Sequence, residues 1–248
     1  MAKTENIHHE VFIVRSYEMD AQGKASLSTV CNYLQEAAGN HATALGVGVT
    51  QLFKKNMTWV LSRLHVKINR YPHWQEKIKL ETWPSGLMGK FATRDFIIFD
   101  HKQNVIITAT TSWMLLDLNK IRPITMPDFI QEVLIPPRAR ALDDDFQRLP
   151  VPKNINYEKQ FDVRLSDLDI NQHVNHVKYI EWALESVPLS VWQKRELGEI
   201  EITFRSETKY GNGIFVQTEE NQNTFLHRVI CETDQRELAV SRTHWRDK

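Results

Sequence analysis

Asp169, Asn171 and His173 set a carboxylate, an amide and an imidazole within five consecutive residues of the run Asp169-Ile170-Asn171-Gln172-His173-Val174-Asn175. The carboxylate can take a proton from water or attack a carbonyl carbon. The amide can orient a carboxylate or a water through its N–H donors. The imidazole ordinarily titrates at about 6.5, so it gives or takes a proton around neutrality. Asn175 and the residues after it read as a helix start, with Asn175 as the N-cap. Unpaired backbone N–H groups and the positive end of the helix dipole gather at such a place and are candidates for an oxyanion hole. An acid/base cluster beside those donors suits acyl-group hydrolysis, where charge builds on a carbonyl oxygen. Asp and Asn also favour ordinary turns, so the loop needs support from elsewhere in the chain.

That support is an internal repeat at an offset of 149 residues. Phe12, Val14, Arg15 and Asp20 correspond to Phe161, Val163, Arg164 and Asp169. Tyr33 and Glu36 correspond to Trp182 and Glu185. The chemistry does not repeat, because Gln22 and Lys24 stand where Asn171 and His173 do. A repeat of this length implies two similar modules rather than a solenoid, whose units are shorter.

The elements in the two halves run in the same order. Glu10 to Arg15 alternates as a strand, behind a terminal His8-His9 expected to be flexible. A helix opens at Ser26 with Leu27, Val30, Cys31, Leu34 and Ala38 on one stripe, and ends near Gly46. Strands are expected over 58–68, 77–83, 91–99 and 105–118, with Pro84-Ser85-Gly86 as one of the breaks. In the second half, a strand over 157–164 precedes the Asp169–His173 loop and a helix over 175–185. Strands then follow over 199–205, 214–219, 224–232 and 237–245. Strict alternation puts Ile200, Ile202 and Phe204 on one face. Six of the nine prolines lie from Pro123 to Pro152, which marks a connection that packs in part against the surface. The organisation is therefore a module over 1–122, a Pro-rich connection over 123–156 and a module over 157–248. One helix wrapped by an antiparallel sheet is the plan of a hotdog, and the fold class is α+β, a tandem (double) hotdog.

Composition narrows the function classes. Lys plus Arg and Asp plus Glu both number 31, so no net charge argues for nucleic acid as a partner. No apolar run reaches the length of a membrane span, and the N-terminal residues lack an apolar signal core. Cys31 and Cys231 are distant and form no metal-like pair. A reduced cytoplasm is the expected location. His173 and His176 lack a third ligand at a recognisable spacing, so no metal is expected.

The pattern from Asp169 through Asn175-His176-Val177-Lys178-Tyr179-Ile180, followed by Trp182-Ala183-Leu184-Glu185-Ser186, resembles the acyl-ACP thioesterases, as a bacterial relative of the plant fatty acyl-ACP enzymes would. In the N-terminal half the likeness includes Val14-Arg15-Ser16-Tyr17-Glu18 with Asp20, Thr58-Trp59-Val60-Leu61-Ser62-Arg63, and Arg122-Pro123. The resemblance implies hydrolysis of fatty acyl-ACP to free fatty acid and holo-ACP, without metal or organic cofactor. It implies Asp169, Asn171 and His173 as catalytic residues, joined by Glu207, which stands 34 residues beyond His173. Alternation would place Glu207 opposite Ile200, Ile202 and Phe204, towards solvent or the seam between modules. Plant relatives carry a cysteine next to that glutamate; here the residue is Thr208, which disfavours a cysteine nucleophile. His176 replaces an asparagine common among relatives.

An enzyme for acyl chains needs an apolar tunnel, and the chemically silent N-terminal module is the expected source. Trp59, Leu61 and Trp83 are candidates for its lining. Arg63, Arg122 and Lys178 are candidates for contact with an acidic carrier protein and the phosphate of its phosphopantetheine arm. Other readings are an acyl-CoA thioesterase, a hotdog dehydratase, or a module that binds acyl groups without cleaving them. Whether Asp169 attacks directly or a carboxylate activates water stays open, as do chain length and homodimer formation.

Overall fold

The structure, a computed structural model, describes residues 6–169 and 172–248. Ile170 and Asn171 lie outside the described residues. The chain divides into two compact units. The first runs to Asp145 without Arg63–His65; the second holds Arg63–His65 and Phe146–Lys248. The stretch 123–156 is thus shared, with 123–145 in the first unit.

In the first unit, strand β1 (His8–Ile13) is followed by helix α1 (Leu27–Ala44) and the short α2 (Val49–Phe53). Strands β2 (Met57–Ile68), β3 (Lys77–Met88), β4 (Phe91–Phe99), β5 (Val105–Asp117) and β6 (Arg122–Ile124) come next, then α3 (Asp128–Gln131). Their order in the sheet is β1-β3-β4-β5-β2, with β6 on β5. Ser26 caps α1 by accepting the Thr29 N–H at 3.1 Å. Leu27, Val30, Cys31, Leu34, Ala38 and His41 recur at helical spacing and are buried against the sheet. The helix stops before Gly46, whose φ of 77° suits a residue without a Cβ.

The second unit repeats the plan. Strand β7 (Tyr157–Asp162) leads to α4 (His176–Glu185) and α5 (Leu189–Lys194). Strands β8 (Arg195–Phe204), β9 (Gly213–Asn221), β10 (Thr224–Cys231) and β11 (Glu237–Asp247) complete it. The sheet order β8-β11-β10-β9-β7 matches that of the first unit read from the other end. Each unit is a hotdog, a helix against an antiparallel sheet. The repeat reaches single side chains. Phe12 stacks on Tyr33 at 4.2 Å in one unit, and Phe161 on Trp182 at 6.3 Å in the other. The Trp113 indole N–H donates to Thr111, as that of Trp245 does to Thr243.

Some expectations are corrected. His8 and His9 belong to β1, where His8 pairs with Thr82 and His9 with Glu81. Pro84-Ser85-Gly86 does not break β3; the register shifts there, and the bulge absorbs a proline that cannot donate to a ladder. The short elements α2, α3, α5 and β6 lie where no helix or strand was expected. The proline-rich stretch is strapped to the first unit. Asp95, fully buried, accepts from Ser85 at 2.8 Å, Thr110 at 2.6 Å and the Ala141 N–H at 2.6 Å. Arg138 lies 3.7 Å over the Trp83 ring and donates to Glu81 at 2.9 Å. Such a pairing of cation, indole and carboxylate gives this strap a defined seat.

Each unit buries a histidine, His41 on α1 and His227 on β10. His41 accepts from Arg94 at Nδ1, 3.0 Å away, and burial pushes its pKa down to about 3. His227 is held by the hydroxyls of Ser186, Thr218 and Thr243, and burial takes it to about 3 as well. An unfolded histidine binds a proton at about 6.5, so between the two values the unfolded chain holds more protons than the native one. Stability is then complete above the unfolded value and falls as pH drops towards 3. Urea unfolding at pH 4.5 is expected to show a stability at least about 2 kcal/mol below that at pH 7.5. Equal midpoints at the two pH values would contradict these assignments.

Candidate active site

The Asp169–Val174 loop is tied into its module by backbone bonds. The Asp169 N–H donates to the His173 carbonyl at 2.8 Å, and the Gln172 N–H returns to the Asp169 carbonyl at 3.0 Å. The His173 N–H donates to Asp169 Oδ1 at 3.2 Å. The Asn175 N–H donates to the Asp167 carbonyl at 2.8 Å, which aims the chain into α4. Gln172 takes a φ of 62°, a left-handed conformation that closes the turn.

A second segment meets this loop. The Val174 N–H donates to the Thr208 carbonyl at 3.2 Å. The Thr208 N–H donates to the Tyr179 hydroxyl at 3.2 Å, and Asn212 Nδ2 donates to Thr208 Oγ1 at 2.9 Å. Thr208 is 1% exposed, so these bonds anchor the segment from within. Glu207 is thereby brought beside the loop, with Oε2 3.4 Å from His173 Nδ1. That is ion-pair reach and longer than a formed hydrogen bond; acid–base contacts of this kind tighten when substrate is bound. Both side chains stay open, 34% exposed for His173 and 58% for Glu207. A proton can pass between them and a reactant.

Glu207 is not on the strand. β8 ends at Phe204, so the alternation of Ile200, Ile202 and Phe204 stops short of it. Its position comes from the Thr208 bonds. Asn171 lies outside the described residues. Asn175 is the N-cap of α4, accepting the Val177 N–H at 3.0 Å. The Lys178 N–H goes to the Asn175 carbonyl at 2.9 Å. Asn175 thus occupies the Val177 and Lys178 N–H groups, which makes the His176 N–H the candidate oxyanion donor of the first turn. The His176 ring meets Phe204 edge-on at 5.9 Å. Burial brings its pKa down to about 4, against a smaller opposite pull from Asp169. It is neutral at pH 7. Burial also raises the Tyr179 phenol, which remains an O–H.

The other sequence candidates are placed as follows. Trp59 donates from Nε1 to the Val47 carbonyl at 2.9 Å and packs against a core of Leu52, Met57 and Leu115. Leu61 is half-buried on β2. Trp83 is fully buried under Arg138. Arg63 lies 5.9 Å over Phe146 in the second unit. Lys178 is paired with Glu181 at 2.8 Å and lies 3.8 Å from Asp167. Arg122 is exposed on β6. Tyr179, Thr208 and Asn212 were not singled out as site residues by sequence. Their only signal is adjacency: Thr208 follows Glu207, and Asn212 sits in a Gly-Asn-Gly turn. Among the described residues, His65, Glu199 and Glu201 are the grouping with metal-ligand chemistry. There His65 Nε2 is 2.7 Å from Glu199, and Arg242 pairs with Glu201.

The first unit carries the same loop without its chemistry. The Asp20 N–H donates to the Lys24 carbonyl at 2.8 Å, and the Gly23 N–H to the Asp20 carbonyl at 3.1 Å. The Ala25 N–H donates to the Pro72 carbonyl at 2.8 Å, as Val174 does to Thr208. By that equivalence, and the pairing of Phe12 with Ile78 and Phe161 with Ile214, Tyr71 holds the place of Glu207. Lys24 holds that of His173.

Comparison with known proteins finds two family models, one for each half of the chain. The family model for the acyl-ACP thioesterase N-terminal domain matches residues 5–134, and that for the C-terminal domain matches 152–247. An acyl-[acyl-carrier-protein] hydrolase of Cuphea viscosissima is 31% identical over 96% of this chain, and 62% of that protein is covered. The chain thus spans a little under two thirds of the length of that curated relative. An acyl-ACP thioesterase from Bacteroides thetaiotaomicron superposes with a TM-score of 0.90 at 25% identity, over 99% of this chain and 100% of the other. A 12:0-ACP thioesterase from Umbellularia californica gives a TM-score of 0.88 at 27% identity, with both chains covered at 100%.

If Tyr179 holds Thr208, and through it Glu207, the Tyr179→Phe change loosens the carboxylate without touching the imidazole. Turnover of the chain's substrate is expected to fall about tenfold in kcat with KM nearly unchanged. A steady-state comparison in which KM alone moves would contradict that role.

Proposed function

Because the chain belongs to the acyl-ACP thioesterase family, we propose that it hydrolyses the thioester of fatty acyl-ACP, releasing free fatty acid and holo-ACP. The observation that carries the reading is the His173–Glu207 pair, fastened at 3.4 Å at the head of α4. A thioester carbonyl is already electrophilic and a thiolate leaves readily. The reaction needs an activated water and a place for the oxyanion. Glu207, open and next to the imidazole, is suited to take the proton of the water. His173 relays a proton to the departing sulfur, and the amide of Asn171 has the chemistry to orient the water. The His176 N–H at the start of α4 faces the charge that forms on the carbonyl oxygen. Thr208, buried and bonded on three sides, takes no chemical part.

The first unit holds the acyl chain in this proposal, since its equivalent loop offers Lys24 and Tyr71 in place of an acid/base pair. Trp59, Leu61 and Trp83 remain its apolar candidates, with Arg63 and Lys178 as candidates for the carrier or its phosphate. Cys31 and Cys231 are buried and are not joined in a disulfide, which fits a reducing compartment such as the cytoplasm. No helix among the described residues is long and apolar enough to cross a membrane.

His173→Ala and Glu207→Ala are each expected to lower kcat on fatty acyl-ACP by at least about a hundredfold with the fold retained by circular dichroism. Near-normal rates in either variant would refute the pair. Acyl-CoA of the same chain, assayed beside acyl-ACP, is expected to give a lower kcat/KM. A higher value would transfer the proposal to an acyl-CoA thioesterase.

A further inference from the structure

Asp169 is the loop's remaining carboxylate, and two chemical parts are open to it: direct attack on the thioester, or removal of a proton from water. The geometry points to a third. We infer that Asp169 is a positioning residue, whose Oδ1 holds the His173 backbone N–H and so sets where the imidazole stands, while the reacting carboxylate is that of Glu207. This rests on the reading that His173 and Glu207 are the reacting pair.

The inert copy supplies the argument. Asp20 occupies the same place in the first unit and binds the same backbone. Its Oδ1 accepts the Lys24 N–H at 3.1 Å, where Asp169 Oδ1 accepts the His173 N–H at 3.2 Å. Asp20 Oδ1 also accepts the Gln22 N–H at 2.8 Å; the corresponding N–H in the second unit belongs to Asn171. Several bonds of the surrounding frame recur among the described residues. The Ser26 N–H reaches the Glu18 carbonyl at 3.0 Å, and the Asn175 N–H the Asp167 carbonyl at 2.8 Å. The Arg15 N–H reaches Glu18 Oε2 at 2.7 Å, and the Arg164 N–H reaches Asp167 Oδ2 at 2.8 Å. Short antiparallel bridges, Met19 with Ala25 and Leu168 with Val174, close both loops.

The places that correspond to His173 and Glu207 hold Lys24 and Tyr71 in the first unit, so an imidazole–carboxylate pair does not explain Asp20. The turn does. A side-chain oxygen that accepts from N–H groups two and four residues on makes an Asx-type closure, for which a backbone carbonyl is the alternative partner. The same demand exists in the second unit whether or not a reaction occurs there. Asp169 Oδ1 is committed to a backbone N–H, whereas the Glu207 side chain, 58% exposed, is open to a reactant. The catalytic module has thus kept the turn of its silent twin and exchanged two side chains around it, Lys24 for His173 and Tyr71 for Glu207.

Asparagine separates the alternatives, because its amide oxygen still accepts an N–H but neither attacks a thioester nor takes a proton. The full chain and its Asp169→Asn and Asp169→Ala variants are compared in two ways. Release of acid is measured on saturated fatty acyl-ACPs of several lengths across pH, and exchange of the His173 amide is followed by NMR. Asp169→Asn is expected to keep kcat within about tenfold of the parent, with an unaltered pH profile and a protected His173 amide. Asp169→Ala is expected to expose that amide and lose about a hundredfold or more in kcat. Activity that follows amide protection across the variants supports the inference. Activity lost while protection is intact, or kept while protection is gone, overturns it. If the parent itself releases no acid, the proposed activity fails, and amide exchange alone decides whether the carboxylate holds the loop.

Discussion

The bond from the Val174 N–H to the Thr208 carbonyl makes one site out of two segments of chain. Without it the imidazole and the glutamate would sit on separate loops, each free to settle at its own distance. With it, the loop before α4 and the segment after β8 share a backbone hydrogen bond at 3.2 Å. A buried backbone pair of this kind is costly to leave unmade, so it fixes register more firmly than an exposed ion pair would. The 3.4 Å approach of His173 and Glu207 follows from it. The hydrogen bonds of Tyr179 and Asn212 to Thr208 then hold the segment from its buried side.

The duplicated architecture explains why this arrangement is available at all. In both units a strand, a tight aspartate-closed turn and a helix are laid against an antiparallel sheet, and a carbonyl from the far segment receives the N–H just before the helix. The turn serves the fold first. The two units differ where Lys24 and Tyr71 of one give way to His173 and Glu207 of the other. One unit keeps a cation and an aromatic ring at those places, and the other holds two groups able to exchange a proton. In the proposed reaction, function is a matter of two side chains on a frame the protein builds twice.

The long elements were legible in the sequence because their periods are strong. The α1 stripe of Leu27, Val30, Cys31, Leu34 and Ala38 is buried, and the pairs of the 149-residue repeat, down to Phe12 with Tyr33 and Phe161 with Trp182, stack as equivalents. Short elements were not legible. α2 and α3 have too few residues for a period to show, and their formation depends on what they pack against. Pro84 read as a break because a proline cannot donate; the bulge that accommodates it is a property of the paired strand β4. Glu207 was reachable through the resemblance to a known family, yet its presentation was not. It depends on Thr208 as a buried node, and nothing in a threonine or a tyrosine announces a hydrogen bond 29 residues away along the chain.

The central claim is that water, activated by the His173–Glu207 pair, cleaves an acyl group from its carrier. Mass spectrometry of the products formed from fatty acyl-ACP tests it most directly. The account predicts free fatty acid and holo-ACP in equal amounts. An enoyl thioester still attached to the carrier would make the pair a dehydratase site, and an acyl-ACP recovered intact would leave it a binding site; either result contradicts the account.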